Sequence, residues 1–168
     1  MESRTDLKGK PADVVASGYG WLPTAAWLVS LAGLAVATYL TIAHYDTHVH
    51  LACSSSGLIN CEQVTTSPQS VIFGIPVAVL GLAYFTVMSV LNAPLVWRRA
   101  PARAGMVRLV LAMGGMGFVL YLVYAELVLI NAICLWCTTT HVLAFGLFIL
   151  VLLGSTRMQW WPGAEESD

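Results

Sequence analysis

The reactive side chains of this sequence are four cysteines that fall as two pairs, Cys53 with Cys61 and Cys134-Leu-Trp-Cys137. Cysteines three apart on a helix share a face, near enough to form a disulfide or hold a metal together. The apolar run after Cys137 reads as a helix that starts at this motif, which puts both sulfurs in its first turn. Unpaired backbone N–H groups and the positive end of the helix dipole favour thiolate over thiol there. Three chemistries use such a set of thiols. Structural disulfides are one. A zinc or copper site is another, with His44, His48 and His50 nearby, but those histidines have the spacing of a solvated loop and no metal is expected. The third is a thiol–disulfide relay, in which a mobile pair meets a soluble partner and a fixed, low-pKa pair sits at the lipid boundary. A lipid-soluble two-electron acceptor, such as a quinone, would complete it. A c-type haem link is excluded, because Thr138 rather than a histidine follows Cys137.

The elements that must position these thiols are apolar. Of 168 residues, 58% are hydrophobic and 10% charged, against roughly a quarter charged in a soluble domain. That shortfall argues for an integral membrane protein, and a net charge of −1 suggests no nucleic-acid partner. Four apolar runs, at about 21–43, 71–91, 106–130 and 134–153, predict a four-helix transmembrane bundle of the all-α class. Gly74 and Pro76 open the second run and are tolerated in a first helical turn. Gly114, Gly115 and Gly117 allow close helix approach in the third. The first run is long, starts late and offers no clean cleavage site at 35–41, so it reads as a span rather than a signal peptide. The polar stretch 44–70 is the loop that carries Cys53 and Cys61, and a short turn near Asn131 precedes the fourth run. Residues 1–20 and 155–168 are tails.

All eight Lys and Arg residues lie in the tails or in the connector after the second run with the adjoining helix start. By the positive-inside rule both termini are cytoplasmic. All four cysteines then lie at the outer face, which is the oxidising side of a bacterial inner (plasma) membrane and would be the lumen in a eukaryotic secretory membrane.

Together these residues resemble the vitamin K epoxide reductase family. The resemblance rests on four spans, the loop pair Cys53 and Cys61, Ser67 six residues after the second of these, and Cys134-Leu-Trp-Cys137 opening the fourth span. Phe73-Gly74-Ile75-Pro76 is similar to the same stretch of bacterial members. The DsbB-like oxidases share the logic but carry their C-x-x-C in the first outer loop, so the order here disfavours them. The resemblance implies a bacterial disulfide-forming oxidoreductase, without a fused thioredoxin domain, whose outer loop caps a quinone pocket. It would reoxidise an exported thioredoxin-fold (DsbA-like) partner and drive disulfide formation in exported proteins. Electrons would pass from the partner to Cys53 and Cys61, then to Cys134 and Cys137, then to menaquinone or ubiquinone. Cys53 would exchange with the partner, Cys61 would reduce Cys134, and Cys137 would deliver electrons to the quinone. Ser67 would order the loop or hydrogen-bond the quinone side of the site, and Phe73 would be a pocket wall. His141 stands where animal members have a tyrosine in the quinone or drug pocket, so their inhibitor sensitivity is not carried over to this chain.

Two alternatives remain open. One is reduction of vitamin K epoxide or its quinone by the same cysteines. The other is a non-catalytic bundle with structural disulfides or a metal site. Three further residues have two readings each. His141, four after Cys137, either donates to a quinone oxygen or bonds a neighbouring helix. Glu126 is expected to reach the membrane interface, with a proton relay as the alternative. Trp136 either anchors the interface or shields the cysteine pair.

Overall fold

The computed structural model describes residues 21–46, 48–49, 51–53, 57–99 and 102–157, with the backbone alone at 98, 99, 102, 103, 156 and 157. The predicted tails at 1–20 and from 158 onward, and His50, lie outside the described residues. Four apolar helices make the body: α1 (Leu22–Tyr45), α3 (Val77–Asn92), α5 (Ala102–Tyr124) and α6 (Leu135–Arg157). Two short helices, α2 (Cys61–Thr65) and α4 (Pro94–Arg99), lie in the connections. A two-stranded hairpin of β1 (Val71–Ile72) and β2 (Ile75–Pro76) precedes α3.

Three of the helices, Leu22–Tyr45, Ala104–Ile130 and Leu135–Ser155, are long and apolar enough to cross a membrane, and Val77–Asn92 is a shorter apolar helix. Their outward faces carry residues such as Leu28, Val110, Leu120, Val142 and Phe145. Helices that are apolar all round are stable in lipid, where outward hydrophobic side chains cost nothing.

Contact between the helices is made by small residues. On α1 the buried positions are Leu22, Ala26, Ser30, Gly33, Ala37 and Leu40, each three or four residues from the next. That stripe faces α3, and Gly33 leaves the space that the Phe85 ring fills. Gly115 of α5 meets Tyr84 of α3 in the same way, and Gly154 of α6 meets Trp97 of α4. In lipid, close packing of this kind replaces the hydrophobic drive between helices. At the end of the bundle far from the cysteines, the buried Arg108 donates through Nε to the Leu91 carbonyl at 2.8 Å and lies 4.3 Å over the Trp97 ring. Beside it Asn92 donates to Ser30 Oγ at 3.3 Å.

Two features depart from the sequence reading. Residues 71–76 are not the first turns of a helix. The residue before a proline disfavours helical backbone, so Ile75–Pro76 is extended and pairs with Val71–Ile72, and α3 begins only at Val77. The hairpin turns through Phe73 and Gly74, both at positive φ (51° and 79°), as a two-residue primed turn requires. The segment that follows α5 is also modified: Ala125–Ile130 continues the helix as a π turn that ends at Asn131 in the left-handed conformation.

The stripe on α1 leads to a test. Replacing Gly33 with Val should lower the thermal midpoint of the detergent-solubilised protein by an amount worth about 1–3 kcal/mol, the cost of overpacking a filled core. Adding Phe85→Ala to that variant should recover part of the loss, because the two side chains compete for one space.

Candidate functional site

The cysteine-bearing loop is held onto the bundle by its backbone. Asn60 N–H donates to the Ile133 carbonyl at 3.1 Å, and Ile133 N–H donates to the Leu58 carbonyl at 2.8 Å, a short parallel bridge between Ile59 and Ile133. Gln63 adds a bond from Nε2 to the Ile130 carbonyl at 3.3 Å. Asn60 caps α2 by accepting from Gln63 N–H at 3.0 Å, which fixes Cys61 as the first residue of that helix. On the other side of the loop, Trp136 donates from its indole to the Ala52 carbonyl at 3.2 Å, and Ala52 N–H donates to Tyr39 Oη at 3.1 Å. The Tyr39 ring packs edge-on against Trp136. Trp136 therefore ties down the residue next to Cys53.

Cys53 and Cys61 are joined by a disulfide, with Cα atoms 6.1 Å apart. Cys134 and Cys137 are free. Cys61, Val64, Ala132 and Cys134 form one buried cluster, with Cys53, Trp136 and Cys137 packed against it. The loop pair and the C-x-x-C pair thus share a small apolar nest.

The two inner cysteines occupy different environments. Cys134 is fully buried and sits at the N-cap of α6, where its carbonyl accepts from Thr138 N–H at 2.8 Å. Its sulfur does what a capping serine oxygen does, accepting the Cys137 backbone N–H at 3.2 Å. The Cys137 thiol also donates to it, sulfur to sulfur at 2.6 Å. These bonds, the Cys137 thiol foremost, hold the Cys134 thiol below its ordinary range, against the opposing effect of burial. Cys137 is only partly buried and faces a cavity.

That cavity, of about 510 Å³, lies between α1, α3, α5 and α6. The outer loop roofs it with Leu51, Val64, Ser67 and Ser70. Its walls are apolar save for a few polar groups, among them Cys137, Thr140, His141, Glu126 and Tyr84. Volume and lining match what a small-molecule site needs. The Tyr84 hydroxyl is buried and finds no hydrogen-bond partner among the described residues, so it is a donor awaiting an acceptor. The ring of a quinone would meet the apolar walls, and its carbonyl oxygens would meet such donors. The lining therefore fits that class of molecule. Among the described residues no three His, Cys, Asp or Glu side chains gather to hold a metal.

The sequence-derived site residues divide. Cys137, Ser67 and His141 all line the cavity. Ser67 Oγ is spent on the Val64 carbonyl at 2.7 Å, the loop-ordering half of its expected role. His141 is buried, and its ring makes no hydrogen bond to a neighbouring helix among the described residues. Phe73 is corrected: it stands fully exposed at the hairpin tip and is no part of the cavity wall. The primed turn points its side chain out. Glu126 is also corrected, since it is buried and lines the cavity instead of reaching the interface. Tyr84, Tyr39 and Asn60 escaped the sequence reading. Of these only Tyr84 carried a signal, a hydroxyl in the middle of an apolar span that must find a partner.

The model of the Vitamin K epoxide reductase family matches residues 24–152, a range that contains α3, α5, all four cysteines and most of α1 and α6. A test of the local chemistry follows from the Cys134 environment. Replacing Cys137 with Ala should raise the pKa of Cys134 toward the ordinary thiol value of about 8.5. Thiolate absorbance followed against pH, with the Cys53–Cys61 disulfide left intact, reads that shift.

Proposed function

This chain belongs to the vitamin K epoxide reductase family, a family of membrane oxidoreductases that use quinones, and from that premise we propose that it oxidises a thioredoxin-fold partner at the expense of a membrane quinone. The observation that carries the proposal is the position of Cys134 and Cys137. One lies in the nest of the loop disulfide and the other on the cavity wall.

In this reading the partner's thiolate attacks Cys53 of the Cys53–Cys61 disulfide, and Cys61 leaves as thiolate. The partner's second thiolate then resolves the mixed disulfide, so the partner leaves oxidised and the loop pair reduced. Cys61 next attacks Cys134 of an oxidised inner pair and releases the Cys137 thiolate, and Cys53 closes back onto Cys61. The result is the arrangement observed, an outer disulfide with two free inner thiols. A quinone bound in the cavity supplies the sink, taking up two electrons and two protons. Cys137 faces it, with His141 and Tyr84 as hydrogen-bond donors.

The proposed topology places α1, α3, α5 and α6 across the membrane with both termini cytoplasmic and the cysteines outside. It is supported by the distribution of basic residues. Sixteen-residue α3 covers about 24 Å at the usual helical rise, short of the ~30 Å hydrocarbon core. The hairpin and α4 fill the remaining depth at its two ends. The outer face suits an exported partner.

Anaerobic quinone reduction by the purified protein, with a reduced DsbA-like protein as donor, tests the relay. Turnover should require the donor and vanish in Cys137→Ala. A Cys61→Ala variant should accumulate a mixed disulfide between Cys53 and the donor. Turnover in Cys137→Ala equal to wild type would sink the proposal. The cavity assignment makes a further prediction. Tyr84→Phe should raise the KM for quinone roughly fivefold, the loss of one hydrogen bond worth about 1 kcal/mol, and Phe73→Ser should leave KM unchanged.

A further inference from the structure

Glu126 is a buried carboxyl group in an apolar setting that neither the relay nor the fold requires. It lies in the π turn, and its backbone carbonyl accepts from Ala132 N–H at 3.1 Å and from Asn131 N–H. These bonds lock the turn that leads to Cys134. Its side chain is 6% exposed. The turn closed by its backbone carbonyl runs through Ala132, which is buried in one cluster with Cys134, with Cys137 packed against it. Glu126 lines the main cavity with Cys137 and His141. With His141 it also lines a second cavity of about 360 Å³ between α5 and α6, bounded by Ile133, Thr138 and Val142. The two side chains therefore form the wall between the two spaces.

An ionisable group inside a membrane protein is costly to keep and is usually functional. Among the described residues no Lys or Arg forms an ion pair with Glu126, and Arg108 is committed to Leu91 and Trp97 at the far end of the same helix. The titratable groups that face this region are the two thiols, His141 on α6, Tyr84 on α3 and His44 on α1, all of which except Cys134 line the main cavity. Glu62 lies on α2, which packs against the π turn, but it is exposed.

We propose that Glu126 is the proton acceptor for the Cys134–Cys137 pair. This inference rests on the relay reading and adds to it the path of the protons. When the pair is oxidised, two S–H bonds break and one S–S bond forms. Two electrons and two protons leave the sulfurs, and the quinone is the co-reactant that takes both. The Glu126 carboxylate receives a thiol proton as the S–S bond forms and releases it into the cavity beside His141. General acid–base assistance of this kind contributes about 10²–10⁴-fold to a rate.

The test compares Glu126→Gln and Glu126→Asp with wild type and Cys137→Ala. Glu126→Gln should slow quinone reduction at saturating quinone by about 10²-fold or more with KM unchanged. The fall in rate toward low pH that marks protonation of the carboxylate should disappear with it. Glu126→Asp should keep that fall and recover part of the rate. A second readout uses quinone-free protein. Loss of the carboxylate charge should move Cys134 ionisation, followed by thiolate absorbance, to lower pH in Glu126→Gln and leave it near wild type in Glu126→Asp. A Glu126→Gln protein with wild-type rate, pH profile and Cys134 ionisation would overturn the inference while an inactive Cys137→Ala left the relay standing. If Glu126→Gln does not fold, Glu126→Leu, which removes the buried carboxyl group altogether, takes its place, and a wild-type rate and pH profile in that variant overturn the inference instead. Wild-type protein that does not reduce quinone at all would strike the relay itself.

Discussion

The site depends on one short piece of parallel backbone pairing, between Ile59 in the outer loop and Ile133 in the turn before α6. A loop between membrane helices has no reason of its own to sit at a given height over the bundle. Two backbone hydrogen bonds, to Ile133 and from it, set the register of residues 58–60 against 133. Register along the chain then places Cys61, one residue past Asn60, beside Cys134, one residue past Ile133. Side-chain bonds from Gln63 and Trp136 close the two flanks. Because the ties are mostly backbone and indole, the reactive sulfurs carry none of the load of holding the loop.

From that fixed point a single helical turn separates two chemical settings. Cys134 ends the α5–α6 turn, buried against the loop, and its sulfur is a hydrogen-bond acceptor at a helix start. Cys137 is one turn further along and looks into the cavity. The C-x-x-C spacing is thus what lets one short motif face the loop disulfide on one side and the cavity on the other. The small-residue stripe of α1 and the glycine contacts to Tyr84 and Trp97 serve the same end at longer range. They bring the helices close at chosen points and leave the space between α3 and α5 open.

Much of this was legible because it follows from short-range rules. The apolar runs, the polar loop, the break at Asn131 and the C-x-x-C at the start of α6 are all local properties of the sequence. The family assignment followed from their order along the chain. The departures come from tertiary context. The Gly-Ile-Pro stretch satisfies a helix start or a hairpin equally well, and only its pairing with Val71–Ile72 decides. Phe73 was expected as a wall from the family resemblance alone, but a residue at the tip of a primed turn points outward. Glu126 was assigned to the interface because a carboxylate near a helix end normally escapes there. In the π turn the side chain is instead buried, together with that of Ala125. Tyr39 and Asn60 act through partners far away in sequence, which no local pattern reveals.

The clamp also decides the kinetic order of the proposed pathway. With Cys61 and Cys134 held in one nest, exchange between the two pairs is a first-order event within a single molecule, and well-oriented reactions of that kind reach effective molarities of about 10⁵–10⁸ M. Dilution cannot slow it. Encounter with the protein partner and arrival of quinone through the bilayer are then the steps that depend on concentration. The overall flux is set by traffic in the two surrounding phases, water on one side of the motif and lipid on the other.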